Sequence, residues 1–172
     1  MAEVPIPAGR QILILCPYPF DTAPSQRLKY EQYIPFLEAQ GYRIQIHPFF
    51  SPRTYAILYK PGRSLRKVAG VLAGIARRLA LLPRIARADG VYIHLHVCPL
   101  GPPWLEWLTC SLARAMVLDI DDMVHLLPTS GANASARRFK SSARYFLLMR
   151  RAQHVITCTP ALDRLVRQHN PH

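Results

Sequence analysis

The chain has 172 residues, half of them hydrophobic, a length that suits one domain burying about two-thirds of its unfolded surface. Lys and Arg number 22 against 10 Asp and Glu, so a net charge of +12 must meet something anionic: nucleotide-linked substrates, an acidic leaflet or nucleic acid. The four cysteines (Cys16, Cys98, Cys110, Cys158) form no C-x-x-C pair, which excludes a zinc ribbon or disulfide framework and fits reduced, cytoplasmic thiols. The first ten residues hold no long apolar run, and no charge-free stretch of 18 apolar residues occurs, so neither a signal peptide nor a spanning helix is expected.

Gln11 to Cys16 reads as a strand buried on both faces, ended by Pro17. A loop runs to Pro24, and Ser25 is placed as N-cap of a helix reaching about Gln40, kinked at Pro35 and closed by Gly41. A strand over Arg43 to His47 stops at Pro48. Arg63 to Leu82 shows helical periodicity, with Leu65, Val68, Leu72, Ile75, Leu79 and Leu82 as the face against the sheet. Arg66, Lys67, Arg77, Arg78 and Arg84 then fall on the outer face, either simply solvated or drawn to anionic head groups, and Pro83 ends or bends the helix. Val91 to Val97, Met116 to Ile120 and His154 to Cys158 read as strands. Pro103 to Arg114, Ala136 to Ala152 and Pro160 to Gln168 read as helices. Strands alternating with helices imply right-handed crossovers and a Rossmann-like, doubly wound parallel α/β sheet. No G-x-G-x-x-G follows the first strand, which speaks against NAD binding, and no nucleic-acid-binding module accompanies the charge.

Three constellations could carry chemistry. In open α/β sheets ligands sit beyond the carboxyl ends of strands, where the loop from Cys16 to Arg27 must lie. Ser25, with the free N–H groups of the helix it opens, could hold a phosphate, and Arg27 could add a bidentate contact with Glu31 one turn on. His94, His96 and Cys98 alternate onto one strand face, but same-face neighbours stand about 6.5–7 Å apart. A shared ion would need more ligands, so the reading is no metal, with His96 at the strand end touching substrate. Asp119, Asp121 and Asp122 gather three of ten acidic residues directly after a strand and suit hydroxyl groups or a divalent cation.

Ile12-Leu-Ile-Leu-Cys-Pro-Tyr-Pro-Phe-Asp-Thr-Ala-Pro-Ser-Gln-Arg-Leu-Lys-Tyr-Glu-Gln-Tyr33, with Leu37 and Gly41, resembles the opening of bacterial family-4-like glycosyltransferases. Pro99-Leu-Gly-Pro-Pro103, Leu118-Asp-Ile-Asp-Asp122, and His154-Val-Ile-Thr-Cys-Thr-Pro-Ala-Leu162 with Asn170-Pro171 follow in the same order, so the likeness spans nearly the whole chain. The resemblance implies one half of a GT-B fold: residues 1–172 as the acceptor-side, N-terminal domain of a retaining hexosyltransferase, with the donor-binding domain outside them. It places Asp21 to Arg27 facing the cleft near donor phosphates and acceptor, and Asp119, Asp121 and Asp122 on the acceptor side; the residues themselves add Ser25 and Arg27 for phosphate and His96 for acceptor hydroxyls. No cofactor beyond the nucleotide-sugar substrate is implied. The expected partners are a glycan or lipid-linked envelope acceptor and an anionic membrane surface, with the protein peripheral on its inner face. His94-Leu-His96 departs from the family's Gln-Arg-Glu-like triplet. Two rivals stand beside this reading: a catalytically incomplete membrane-associated or partner-binding subunit, and a small metal-dependent enzyme built on the histidines and aspartates.

Overall fold

The computed structural model describes residues 9–121 and 142–170. Five parallel strands form one sheet in the order β2-β1-β3-β4-β5: β1 Gln11–Cys16, β2 Arg43–Pro48, β3 Gly90–His94, β4 Met116–Ile120 and β5 His154–Thr157. The fold is α/β, Rossmann-like and doubly wound. Strand order reverses between β1 and β3, and the carboxyl ends of the strands at such a switch point are where open sheets hold ligands.

Right-handed crossovers decide which face each helix covers. The step from β1 to β2 runs one way across the sheet and carries α1 (Pro24–Lys29), a 3₁₀ turn (Glu31–Tyr33) and α2 (Ile34–Ala39) on one face. Every later step runs the other way, and α4 (Ser64–Arg87), α5 (Trp104–Leu112) and α6 (Ala143–Arg151) pack on the opposite face. There Leu13, Leu15, Ile93, Leu118 and Ile120 meet Leu81, Ile85, Leu105, Leu148 and Met149 in the main core. Helix α7 (Pro160–Arg167) joins it through Leu162 and Val166, and Asn170 then donates to the carbonyls of Met149 and Ala152 at the end of α6 (2.7 and 2.8 Å). The α1 face is less completely covered: Ile14, Tyr92, Val117 and Ile156 line an apolar trough of about 230 Å³ there, together with Lys29 and Tyr33.

Several boundaries move from their expected positions. The expected Ser25–Gln40 helix breaks at Tyr30, before Pro35, because Glu31 turns inward to bond the preceding loop. Ala23, not Ser25, is the N-cap. Strand β3 stops at His94, since Leu95 adopts a left-handed φ of 66° and His96 N–H donates back to the His94 carbonyl (2.9 Å). Pro83 lies inside α4, which runs on to Arg87.

The largest correction concerns α4. Its buried side is Gly70, Gly74, Arg78, Leu81 and Ile85, roughly a third of a turn from the predicted leucine stripe. A Cβ at Gly70 would stand 2.3 Å from the Thr54 methyl of α3 (Pro52–Leu58), and one at Gly74 would stand 2.5 Å from the Phe49 ring. The glycines let the helix backbone lie directly on these groups, and that contact sets its rotation. Leu65, Val68, Leu72 and Leu79 consequently face solvent, at 87, 55, 60 and 42 % exposure.

Candidate functional site

The carboxyl end of the sheet carries polar groups on both faces, and the two sets differ in construction. On the α1 face, parallel register pairs His94 of β3 with Asp119 of β4. Tyr92, two residues before His94, shares its face and donates its hydroxyl to Asp119 Oδ2. Ser25 and Lys29 lie four apart on α1, so one side of this short helix presents both. Lys29 Nζ sits 3.0 Å from Asp119 Oδ1, and Ser25 Oγ sits 3.1 Å from His94 Nε2. His94 Nδ1 faces Asp119 Oδ2 at 3.9 Å, an ion-pair separation and too long for a hydrogen bond. Asp119 and His94 are fully buried, whereas Ser25 and Lys29 are half-buried and form the part of the cluster open to a ligand.

Burial alone would push the Asp119 carboxyl up, but His94, Tyr92 and Lys29 around it outweigh burial and hold it below the usual carboxylate range. The acid is therefore a charged acceptor at neutral pH. Burial, followed by the Asp119 charge and its hydrogen bond, raises the Tyr92 hydroxyl and keeps it a donor; Asp121 adds to the same effect.

The adjoining loop is held by a residue that periodicity did not single out. Gln26 is fully buried; its Oε1 accepts from Tyr18 N–H (3.0 Å), and its Nε2 donates to the Tyr18 carbonyl (3.1 Å) and Glu31 Oε1 (3.2 Å). Glu31 Oε2 accepts from Asp21 N–H (3.0 Å), fixing Asp21 in a left-handed turn. Glu31 is thus a loop anchor and not a partner of Arg27, which extends outward to Asp21 at 3.5 Å with both side chains largely exposed.

On the α4 face, Arg78 is fully buried where strands β1 and β2 end. It donates to the carbonyls of Val97 (3.0 Å), His47 (2.7 Å) and Cys16 (2.9 Å). Burial pulls its pKa down to about 10, so it stays a cation at neutral pH. Arg144 of α6 donates to the carbonyls of Cys98 and Gly101, and Glu106 of α5 lies 4.0 Å away and accepts from Cys98 N–H (2.9 Å). His96 packs its ring against Tyr145 (6.4 Å between centroids), and burial, then Arg144 and Arg78, push it down to about 3. It is a neutral imidazole there.

The predicted residues therefore divide. Ser25 and Asp119 come together. Asp121 lies near enough to Tyr92 to act on it. Asp21 and Arg27 stand at the outer lip. His96 does not join them: the Leu95 turn sends His94 and His96 to opposite faces, so the alternation expected for His94, His96 and Cys98 fails. Arg78 cannot touch a membrane from its buried position, and Arg77 donates to the Phe49 carbonyl while Lys67 donates to the Lys60 carbonyl (2.6 Å). Arg66 alone of the four is exposed without such a tie among the described contacts. Asp122 lies outside the described residues. Residues that sequence reasoning missed are Lys29, Tyr92 and Gln26, and Arg78 was assigned to the wrong face of its helix. The i, i+4 spacing of Ser25 with Lys29, and of Gly70, Gly74 and Arg78, was the available signal.

No protein-family model matches the chain, and no curated protein is similar to it. Among solved structures, the apo form of an NADH:FMN oxidoreductase is similar over 93 % of this chain and 86 % of its own, at 10 % identity and a TM-score of 0.37. At that level the likeness carries no functional argument.

Proposed function

We propose that this chain is the acceptor-binding side of a retaining GT-B-type glycosyltransferase, in which a sugar passes from a nucleotide sugar to a hydroxyl of an envelope glycan or lipid-linked acceptor. One observation carries the reading. Asp119, a buried carboxylate kept charged by Lys29 and Tyr92, stands beside Ser25 and His94 at the carboxyl end of β3 and β4, next to the switch point of the sheet. Sugar hydroxyls are recognised by charged acceptors paired with fixed donors, and such hydrogen bonds are worth about 1.5–3 kcal/mol each. The order of motifs along the sequence supports the same assignment.

In this reading Asp119 accepts from an acceptor hydroxyl and Ser25 donates to or accepts from its neighbour. Asp21, Arg27 and Asp121 border the opening, with Arg27 the group available to a donor phosphate. A second Rossmann-like unit, outside these residues, holds the nucleotide sugar and supplies the donors that stabilise the leaving diphosphate as charge develops. No cofactor takes part. The protein works in the cytoplasm, peripherally on the inner face of the plasma membrane. No helix among the described residues is long and apolar enough to cross a membrane.

Binding tests this without the donor unit. The chain is titrated with lipid-linked saccharides and with nucleotide sugars, as wild type, Ser25→Ala and Asp119→Asn, with folding checked by circular dichroism. A lipid-linked saccharide should bind and lose tenfold or more (about 1.4 kcal/mol) on Asp119→Asn. Saccharide binding indifferent to both substitutions, or nucleotide-sugar binding lost with them, refutes the assignment of the acceptor to this cluster.

A further inference from the structure

Helix α4 is far longer than the sheet it packs on. Its 24 residues span about 36 Å, whereas a six-residue strand spans about 20 Å. Arg78 fixes the level at which the helix passes the strand ends, because its three acceptors are the carbonyls there. Ser64 therefore lies roughly 21 Å beyond that level, at 1.5 Å per residue. The overhang is propped from beneath by α3, through Gly70 on Thr54, and no described residue covers its outer side.

That outer side is apolar. Leu65, Val68 and Leu72 follow one another at helical spacing, each more than half exposed, and Tyr59 just before the helix is 52 % exposed. Its surroundings are of one sign: Lys60, Arg63 and Arg66 are all exposed, and no Asp or Glu occurs between Glu38 and Asp89. Leucines flanked only by cations complement a surface that is apolar inside and anionic at its face. The overhang is also tied to the candidate site. Tyr59 Oη lies 2.6 Å from Tyr18 Oη, and Tyr55 donates its hydroxyl to the Thr22 carbonyl (3.5 Å), so α3 and the start of α4 brace the loop that borders Ser25.

We propose that the amino-terminal half of α4 inserts Leu65, Val68 and Leu72 into the interface of an anionic bilayer, turning the carboxyl end of the sheet toward the membrane so that the Asp119 cluster meets an acceptor presented from it. This deepens the peripheral placement given above and rests on it. The contacting surface is the apolar overhang, with Lys60, Arg63 and Arg66 at head-group level, while Arg78 is buried in the fold and Arg77 is tied to the Phe49 carbonyl.

Co-sedimentation of the whole chain with vesicles tests it, using phosphatidylcholine alone and phosphatidylcholine with phosphatidylglycerol. The wild type should sediment with the anionic vesicles. Leu65→Ser with Leu72→Ser should weaken partitioning at least about tenfold, by the apolar area withdrawn, at unchanged melting temperature. Arg66→Gln should weaken it on anionic vesicles, and Arg87→Gln, at the far end of α4, should leave it unchanged. Binding unaltered in the double-leucine variant, or no sedimentation with any vesicle, overturns the proposal. So does a dimer in sedimentation velocity that the leucine substitutions dissolve, because the stripe would then belong to a second copy. No sugar is present in these measurements, so their failure is separate from failure of saccharide binding at Asp119.

Discussion

The two faces of the sheet's carboxyl end solve opposite electrostatic problems. On the α1 face an acid is buried and is satisfied by side chains: Lys29, Tyr92 and the His94 edge. On the α4 face cations are buried and are satisfied chiefly by backbone carbonyls. Side chains at a cluster's edge can move or exchange partners for a ligand, and Ser25 and Lys29 occupy that edge. The carbonyls of Cys16 and His47 end strands and cannot move without disturbing the sheet. The α1 face can thus serve a ligand, and the α4 face serves the fold.

Breaking the α4 face should have the larger effect on stability. Arg78→Met keeps volume but removes a donor from three carbonyls; that of Cys16 still accepts from Phe49 N–H (2.8 Å), and the other two cost about 1–3 kcal/mol each if left buried and unpaired, so a loss of at least about 2 kcal/mol is expected in urea unfolding. Gly74→Ala should cost about 1–3 kcal/mol by overpacking against Phe49, in spite of the better helix propensity of alanine. A gain in stability there would mean that the helix sits otherwise. His96 should add a pH dependence. Its pKa falls from an ordinary value near 6.5 to about 3, so the unfolded chain binds the extra proton. Its contribution is complete above pH of about 6.5 and declines as pH falls toward 3, by up to about 1.4 kcal/mol per unit. In His96→Phe that slope should flatten. Asp119, held low, contributes above its ordinary value near 3.9 and loses that only as pH falls through its folded value, at still lower pH. On the outer lip, Arg27→Gln should change stability by less than about 0.5 kcal/mol, since its pair with Asp21 is exposed.

The strands were legible because residues buried on both faces leave unmistakable apolar runs, as in Ile12 to Leu15. The Asp119 acid was legible because its strand visibly ends there. The rotation of α4 was not, since periodicity weighs leucine above glycine. Close approach of two backbones rewards the absence of a side chain, as at Gly70 and Gly74. His96 was misplaced because alternation holds only while the strand lasts, and nothing in Leu95 itself announces a left-handed turn. Lys29 was passed over as one more surface cation in a basic chain, when only the register of β3 with β4 brings Asp119 beneath it.

Hydrogen exchange with and without a lipid-linked saccharide tests the division between the two faces most directly. Slowed exchange across Pro24–Tyr30 and Gly90–His94, with Ala143–Arg151 of α6 unchanged, is the predicted result. Protection confined to α6 and the Arg144 floor, or protection of neither face at saccharide concentrations that bind, would contradict it.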